Sequence, residues 1–236
     1  MKKHIVVLTG AGVSAESGFA TFRDTGGLWE QFDVNEVASI EGWYRNRKLV
    51  LDFYNQRRAQ LRDAEPNAAH VAIAELEKQY KVSVITQNVD NLHERAGSSY
   101  VLHLHGELTK MRPENGIYDR TASEAEVVDV GYNAVQLGDL APNGSQLRPH
   151  IVFFGEAVPN IEKAINLVES ADILLIVGSS LQVYPAAGLY RYAPNACPIY
   201  VIDPKPVPLA DPRVTFIQDV ATKGMVRFRE LLAAGQ

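Results

Sequence analysis

The chain has 236 residues, 46% of them hydrophobic and 22% charged, which is enough for one large domain or a large and a small one with a sizeable core. Its net charge of -5 and the lack of a basic run argue against direct nucleic-acid binding. The only cysteine, Cys197, excludes an intrachain disulfide and a multi-cysteine metal site. The apolar run near the amino terminus is too short for a signal peptide or membrane span, so we expect a cytoplasmic protein without membrane contact.

The first predicted strand, residues 5–9, is followed directly by Gly10-Ala11-Gly12-Val13-Ser14-Ala15. This is the G-x-G-x-x-A pattern of dinucleotide-binding turns, in which glycines let the backbone approach a pyrophosphate at a helix N-terminus. A tight turn without a ligand would show the same pattern. Glu16-Ser17-Gly18 interrupts the expected helix. Residues 19–27 are therefore predicted to cover a cofactor, with Arg23 as a phosphate or ribose contact or else a surface arginine.

Residues 28–79 have a helical pattern, and the apolar spacing between residues 41 and 62 suits one amphipathic helix or two. Tyr54 and Arg57 share a helix face there. If that face lines a pocket, the pair can bind a carboxylate through a guanidinium fork and a hydroxyl donor. Otherwise Arg57 is a cation on a helix flank. The next helix is predicted at residues 70–79, with three apolar side chains directed inward: Val71, Ile73 and Leu76.

A dense group of polar residues follows the second predicted strand, residues 82–86. The group comprises Gln87, Asn88, Asp90, Asn91 and His93. Loops at the carboxyl ends of parallel strands are where α/β proteins hold ligands, and such a polar loop is costly to order without one.

Residues 101–106 alternate in the manner of a strand, which would direct His103 and His105 to the same face. One of these imidazoles can serve as a general base near neutral pH, or both can be core-edge histidines bonded to backbone. Gly106 indicates close backbone approach directly after His105, which favours His105 as the base.

The remaining chain predicts an insertion of short strands and loops and then further sheet elements. The insertion spans residues 107–148; strands are expected at 151–156, 173–177, 199–203 and 214–217, and helices at 160–170 and 222–232. Gly178-Ser179-Ser180 forms a second small-residue loop that suits phosphate or ribose. Asp203 ends a strand, where a carboxylate can accept from ribose hydroxyls or simply cap a turn.

Over nearly its full length, the chain resembles the sirtuin family of NAD-dependent protein deacylases, in its bacterial class III branch. The resemblance rests on four stretches in order: residues 10–18 with Phe22-Arg23, Thr86-Gln87-Asn88-Val89-Asp90-Asn91-Leu92-His93, His105-Gly106, and Phe154-Gly155-Glu156. In that family they correspond to the cofactor-binding loop, the nicotinamide and ribose segment, the catalytic histidine and the strand that pairs with substrate peptide. Tyr54 and Arg57 resemble the pair that marks members removing succinyl and malonyl groups.

The resemblance implies an α/β fold: a Rossmann-like doubly wound parallel sheet, with a smaller domain made of a helical insertion and a degenerate zinc-module insertion. Residues 1–27, 80–106 and 149–236 would form the NAD-binding domain, 28–79 the helical insertion, and 107–148 the former zinc module. The family usually carries four zinc-binding cysteines there, whereas this insertion contains no cysteine and no histidine. We therefore expect no zinc. Asp203 replaces the family's usual asparagine and so lacks an amide donor.

The resemblance also implies the roles of individual residues, with NAD as the cofactor and acylated protein lysines as partners. The catalytic residues would be His105, Asn88 and Asp90. The NAD contacts would be Gly10, Ala11, Gly12, Ser14, Ala15, Phe22, Arg23, Gln87, Asn88, Asp90, His105, Gly178, Ser179, Ser180, Asp203 and Ala221. The substrate contacts would be Tyr54, Arg57, Val152, Phe153, Phe154, Gly155, Glu156, Val183 and Tyr184.

In the implied reaction, the acyl oxygen of a modified lysine attacks the ribose and nicotinamide leaves. His105 then takes a proton from a ribose hydroxyl, and the products are free lysine and O-acyl-ADP-ribose. Two alternatives stay open: an ADP-ribosyltransferase or NAD hydrolase on the same fold, and a non-catalytic NAD-sensing module. A dehydrogenase is disfavoured because no extended helix follows Gly12. The sequence leaves open the protein targets, the preferred acyl group and the oligomeric state, a monomer included.

Overall fold

The computed structural model of the protein describes residues 2–19, 32–114, 126–207 and 209–235. Phe22 and Arg23 and most of the predicted covering loop lie outside the described residues. The strands are β1 (His4–Thr9), β2 (Lys81–Thr86), β3 (Val101–His103), β4 (Gly106–Pro113), β5 (Val128–Asp129), β6 (Leu147–Ile151), β7 (Ile173–Val177), β8 (Ile199–Ile202) and β9 (Val214–Ile217). The helices are α1 (Val34–Val37), α2 (Ile40–Arg45), α3 (Arg47–Asp63), α4 (Ala68–Glu75), α5 (Leu92–Arg95), α6 (Ile161–Glu169) and α7 (Ala221–Ala234).

Six strands form one parallel sheet in the order β3-β2-β1-β7-β8-β9. The central strand β1 is buried along its whole length, as its continuous apolar run predicts for a sheet covered on both faces. Val7 packs with residues of α4 and α7 on one face, and Leu8 packs with residues of α6 on the other. The predicted α/β fold with a doubly wound parallel sheet is thereby confirmed.

A smaller unit joins helices α1 to α3 to an antiparallel sheet of order β5-β4-β6. Its core is rich in aromatic and aliphatic side chains, including Trp43, Phe53, Leu61, Met111 and Phe153. The predicted amphipathic stretch 41–62 is two helices, because Asn46 ends α2 and its side chain accepts from Leu49 N to begin α3.

Buried arginines connect this small unit internally. Arg58 is fully buried on α3 and donates to the carbonyls of Asn133 (3.0 Å) and Leu108 (3.3 Å). Arg148 on β6 pairs with Glu156 at 2.7 Å, and Arg112 joins the same carboxylate. Burial acts to raise the pKa of Glu156, but the bonds and charge of Arg148 outweigh it and hold that pKa below its ordinary value.

The single cysteine of the chain lies outside this small unit. Cys197 is buried in the core of the large domain, with the side chains that face α6. Among the residues that the structure describes, no group of three or more His, Cys, Asp or Glu side chains is arranged to hold a metal ion. In the described ranges, no helix is long and apolar enough to cross a membrane.

Two predicted strands are longer in the sequence pattern than in the structure. The run 101–106 leaves the sheet at His103, because the chain bends at residues 104–105 and Gly106 has a φ of +84°. The run 151–156 leaves β6 at Ile151, and Gly155 (φ +92°) turns the chain after a single bridge between Phe154 and Ser39. In both runs strand-forming residues continue past the last residue of the strand, as alternation in 101–106 and as a continuous apolar run in 151–154, so the pattern could not locate the bends.

Two helix predictions also change. The helix predicted at 70–79 begins at Ala68, capped by the Asn67 side chain, and this leaves Val71 43% exposed rather than inward. In the described residues between Gly10 and Phe19 the chain forms two 3-10 turns, Ala11–Val13 and Ala15–Ser17, and Gly18 ends them with a φ of +73°. The predicted interruption at residues 16–18 is therefore confirmed, and within this described stretch the glycines are followed by 3-10 turns and by no α-helix.

Candidate active site

A cavity of about 830 Å³ lies at the carboxyl ends of β1, β2, β7 and β8, between the large sheet and the small unit. Its size is typical of small-molecule sites, and its place is where doubly wound sheets bind ligands. Most of the predicted site residues line it: Gly10, Ala11, Gly12, Ala15, Tyr54, Arg57, Gln87, Asn88, His105, Val152, Phe153, Phe154, Gly155, Glu156, Gly178, Ser179, Ser180, Val183, Tyr184, Asp203 and Ala221. Ser14 and Asp90 lie behind the lining, and Phe22 and Arg23 fall outside the described residues.

The floor of the cavity is two glycine loops in backbone contact. Gly10 N donates to Val177 O (3.1 Å) and Gly12 N to Gly178 O (2.9 Å). A Cβ on Gly12 would lie 2.7 Å from the Gly178 Cα, closer than real contacts allow. The prediction that these glycines serve pyrophosphate approach stays a prediction, and the structure adds a packing role for them, because the side without a Cβ faces the neighbouring loop. The glycines keep a bare backbone floor where side chains would force the loops apart.

The polar loop after β2 is held along its length by the chain between residues 103 and 108. Four successive carbonyls accept hydrogen bonds from it. The pairs are Thr86 O with Leu104 N (2.9 Å), Gln87 O with His105 Nδ1 (2.9 Å), Asn88 O with His103 Nδ1 (3.0 Å) and Val89 O with Leu108 N (2.7 Å). Two of the four donors are imidazoles, so both histidines help to define the loop.

His105 is held as a neutral base that faces the cavity. The Gln87 carbonyl can only accept, so His105 Nδ1 carries the proton and Nε2 keeps its lone pair. Burial lowers the pKa of His105 below its ordinary value, and the bond to Gln87 opposes this only in part. The imidazole is thus neutral at pH 7, which is the form a general base needs. The backbone at Gly106 lies close to the His150 carbonyl, as predicted, and a Cβ at this position would collide with that carbonyl.

His103 has different surroundings, and the predicted common face of the two histidines is wrong. His103 is the last residue of β3 and lines a separate cavity of about 250 Å³ that also contains Glu94, whereas His105 lies beyond the bend at residues 104–105 and lines the main cavity. His103 Nε2 lies 2.8 Å from Glu94 Oε1. Burial acts to lower the pKa of His103, but the bond and charge of Glu94 outweigh it and raise the pKa. Sequence reasoning missed Glu94, because it lies nine residues before His103 on a different element, α5 instead of β3, and no helix or strand spacing links the two positions.

Asn88 and Asp90 are joined through Ser14. The Asn88 amide donates to Ser14 Oγ (3.1 Å) and Gly10 O (3.2 Å), and Ser14 Oγ donates to Asp90 Oδ2 (2.9 Å). Asp90 is buried, and burial raises its pKa although bonds from Leu92 N and Ser14 act against this. Asp90 is therefore placed to orient Ser14 and Asn88 from behind the cavity wall.

The predicted carboxylate-binding pair lies at the opposite wall, on α3. Tyr54 and Arg57 are 5% and 3% exposed and both line the cavity. The Phe19 ring centre lies 3.8 Å from Arg57 Cζ, and Arg57 Nη1 donates to Gln60 Oε1 at 2.9 Å. Burial lowers the pKa of Arg57 to about 10 and raises that of the Tyr54 hydroxyl. At neutral pH this wall therefore holds a buried cation beside a neutral hydroxyl donor.

Several polar groups in the rest of the cavity already form hydrogen bonds within the chain. Gln87 Nε2 donates to Ser179 Oγ (2.9 Å) across the floor, and Asp203 Oδ1 accepts from Lys205 N (2.9 Å) at the β8 end. The predicted peptide-pairing segment is paired within the chain at Phe154, whose N donates to Ala38 O (2.8 Å). A bound peptide would have to use neighbouring backbone groups.

The fold and this cavity define the class of protein, and sequence comparison agrees. The profile of the Sir2 family matches residues 10–185, and the chain belongs to that family. It is 52% identical over 235 residues to an NAD-dependent protein deacylase of Bacteroides thetaiotaomicron, covering 98% of each chain. It is 58% identical over 203 residues to an NAD-dependent protein deacylase of Helicobacter pylori, covering 86% of this chain and 85% of the relative. A crystal structure of a Sir2 homologue–NAD complex superposes with a TM-score of 0.82 at 36% identity, covering 99% of this chain and 91% of the other.

Proposed function

We propose that this protein removes succinyl and malonyl groups, as well as acetyl groups, from protein lysines and transfers them to ADP-ribose with release of nicotinamide. The broader activity follows from its family and from two relatives of 52% and 58% identity: the chain is an NAD-dependent protein deacylase. The observation that carries the finer proposal is that Tyr54 and Arg57 line the same cavity as His105.

The residues present fit NAD. The cavity extends across the ends of four strands, and its polar groups suit ribose hydroxyls and a nicotinamide amide: Gln87, Asn88, Ser179, Ser180 and Asp203. When bound, NAD supplies the ribose carbon that receives the acyl oxygen and the nicotinamide that leaves. We assign the wall around Asn88 and His105 to the nicotinamide ribose, and the β8 end to the adenosine.

Transfer of the acyl group needs a general base on the side of the cavity that the large sheet forms. His105 Nε2 is the free nitrogen of a neutral imidazole, with its other nitrogen bonded to Gln87 O at 2.9 Å. We assign to it the uptake of a proton from a ribose hydroxyl of bound NAD, which would make that oxygen nucleophilic toward the acyl carbon. Asn88, held by Ser14 and Gly10, is assigned to orient the ribose.

Acyl selectivity is assigned to α3. A succinyl or malonyl carboxylate would accept charge-assisted hydrogen bonds from Arg57 and a further bond from the Tyr54 hydroxyl. Bonds of this kind contribute roughly 1.5–3 kcal/mol, which corresponds to about 10- to 150-fold in rate discrimination. A neutral acetyl group gains nothing from the guanidinium, so the same enzyme would process it more slowly.

The test compares Arg57→Met with Arg62→Met, a matched control on the same helix. Arg62 is exposed and pairs with Asp63 away from the cavity. We expect Arg57→Met to lower kcat/KM for succinyl-lysine peptide by about 10- to 150-fold and to change that for acetyl-lysine peptide by less than about three-fold. Arg62→Met should change neither. Equal losses on both substrates in Arg57→Met would make Arg57 a structural residue and remove the acidic-acyl proposal.

Product analysis separates deacylation from the other reactions open to this fold. With wild-type protein, NAD and succinyl-lysine peptide, mass spectrometry should detect O-succinyl-ADP-ribose in equal amounts with free lysine peptide. ADP-ribose formed without peptide would indicate an NAD hydrolase, and ADP-ribosylated protein would indicate a transferase. Absence of nicotinamide release with every acyl peptide would leave a non-catalytic NAD-binding module.

A further inference from the structure

Behind the active-site loop lies a chain of three groups that the proposed reaction does not use directly. Glu94 on α5 contacts His103 Nε2 at 2.8 Å, and His103 Nδ1 contacts the Asn88 carbonyl at 3.0 Å. His103 is 8% exposed and Asn88 5%. Asn160 also donates to the His103 carbonyl at 2.9 Å, so the histidine is fixed at both its backbone and its ring.

We propose that the Glu94–His103 ion pair is a positioning device for the active-site loop. It holds the Asn88 carbonyl so that the Asn88 amide reaches Gly10 and Ser14, and so that the adjacent Gln87 carbonyl keeps the proton on His105 Nδ1. Glu94 and His103 are thus positioning residues, since neither lines the main cavity. The proposal rests on the proposed roles of His105 and Asn88.

The hydrogen-bonding partners fix the charge of His103. The Asn88 carbonyl only accepts, and an ionised Glu94 carboxylate only accepts, so both ring nitrogens of His103 must donate. His103 is therefore an imidazolium, in agreement with its raised pKa. His105, two residues away, contacts one carbonyl and stays neutral. The charge of His103 strengthens its bond to Asn88 O beyond that of a neutral donor.

Apart from the Glu94–His103 pair, the charged groups around His103 are one carboxylate and two lysines. The small cavity that contains it is lined by ionisable groups of β4, β6 and α6 as well as α5: Glu107, Lys110, His150, Lys163 and Glu94. Lys110 pairs with Glu107 at 2.8 Å. Burial lowers the pKa of His150 to about 4, so that ring is neutral at pH 7. Glu94 bonds His103 directly and is the main group that raises the pKa of His103, with a smaller contribution from Glu107.

Loss of the His103 donor would remove one of the four hydrogen bonds that hold the loop after β2. The bonds at Thr86, Gln87 and Val89 would remain, but the buried Asn88 carbonyl would lose its partner. A buried carbonyl without a donor is unfavourable, and the peptide plane after Asn88 would rotate toward another one. Displacements of about 1 Å at a reacting centre can lower rates about 100-fold.

The test compares two variants of similar size, His103→Asn and His103→Leu. The Asn amide nitrogen occupies the place of Nδ1 and can still donate to Asn88 O, whereas Leu cannot. We expect His103→Leu to lower kcat by about 10- to 100-fold with the KM for acyl peptide nearly unchanged. His103→Asn should stay within about five-fold of wild type. Equal activity of the two variants at matched melting temperatures would overturn the proposal.

A second set of variants tests the role of Glu94. Glu94→Leu should lower kcat by several-fold, and adding it to His103→Leu should cause no further loss, because the carboxylate acts only through the imidazolium. Additive losses in the double variant would contradict the coupling. If His103→Leu does not fold, Glu94→Leu alone tests the proposal, and an unchanged kcat in that folded variant would overturn it.

Nitrogen-15 NMR of the imidazoles gives a readout that is independent of turnover. In wild type at pH 7.5, His103 should be doubly protonated and His105 neutral with its proton on Nδ1. In His103→Leu, a fraction of His105 should carry the proton on Nε2 instead. A neutral His103 in wild type would overturn the proposal, whereas a lack of NAD-dependent turnover in wild type would overturn only the proposed function.

Discussion

The two walls of the cavity fix their functional side chains by different physical means. On the sheet wall, His105 is neutral and is oriented by a backbone carbonyl, within a loop whose successive carbonyls are all bonded. On the helix wall, Arg57 is charged and is enclosed by apolar and aromatic groups, with Phe19 stacked on its guanidinium. One wall depends on exact backbone geometry and the other on a buried charge.

This difference implies that the chemical step and the acyl preference can change independently. Alteration of the sheet wall should affect every acyl substrate equally, since all share the same ribose chemistry. Alteration of α3 should affect only substrates with a carboxylate, because only these interact with the guanidinium. The following predictions test that separation.

The largest effect is expected from His105→Ala. Loss of a general base lowers turnover by about 10²–10⁴-fold, and the factor should be the same for succinyl- and acetyl-lysine peptides. Steady-state kcat with each peptide measures it, with thermal melting as the control for folding. A loss confined to one acyl group would show that the walls are not separate.

A smaller effect is expected from Tyr54→Phe. The change removes one neutral hydroxyl donor of roughly 0.5–1.5 kcal/mol, so kcat/KM for succinyl-lysine peptide should fall by about 2- to 10-fold. The ring contacts with Phe53 and Phe153 are retained, so acetyl turnover should stay within error of wild type. Unchanged desuccinylation would remove Tyr54 from the carboxylate site.

The smallest effect concerns pH. Because burial lowers the pKa of His105, activity on both acyl groups should fall together only as pH drops below about 6.5, the ordinary histidine value. Arg57 loses its proton as pH rises through about 10, so the ratio of succinyl to acetyl kcat/KM should be constant from pH 6.5 to 8.5 and decline above that. A ratio that changes near pH 7 would mean that a histidine takes part in acyl selection.

Much of the large domain could be predicted from the sequence. A short continuous apolar run between helical patterns, such as residues 173–177, predicts a buried parallel strand, and β7 has those bounds. Cavity residues that follow strand ends, such as Gln87, Asn88 and Ser179, were also predictable, because parallel strands bring those ends to one edge. Other lining residues, such as Val183 and Ala221, were predicted only through the family resemblance.

The rest depends on contacts that have no signature in the chain. The bend after His103 separates two histidines that alternation had placed together, and Glu94 meets His103 only through the fold. The glycines at 10 and 12 match a dinucleotide pattern, yet the contact that requires them is with Gly178, more than 160 positions away. Roles of single residues at the site are therefore predictions for experiment.

One competition assay tests the central claim most directly. Wild-type protein is mixed with NAD and equal concentrations of succinyl- and acetyl-lysine versions of one peptide, and consumption of each is followed by mass spectrometry. The ratio of the two rates equals the ratio of kcat/KM, and a buried guanidinium at the acyl site predicts at least about ten-fold in favour of succinyl. Equal consumption, or faster loss of the acetyl peptide, would contradict the assignment of Arg57 and Tyr54 to an acidic acyl group.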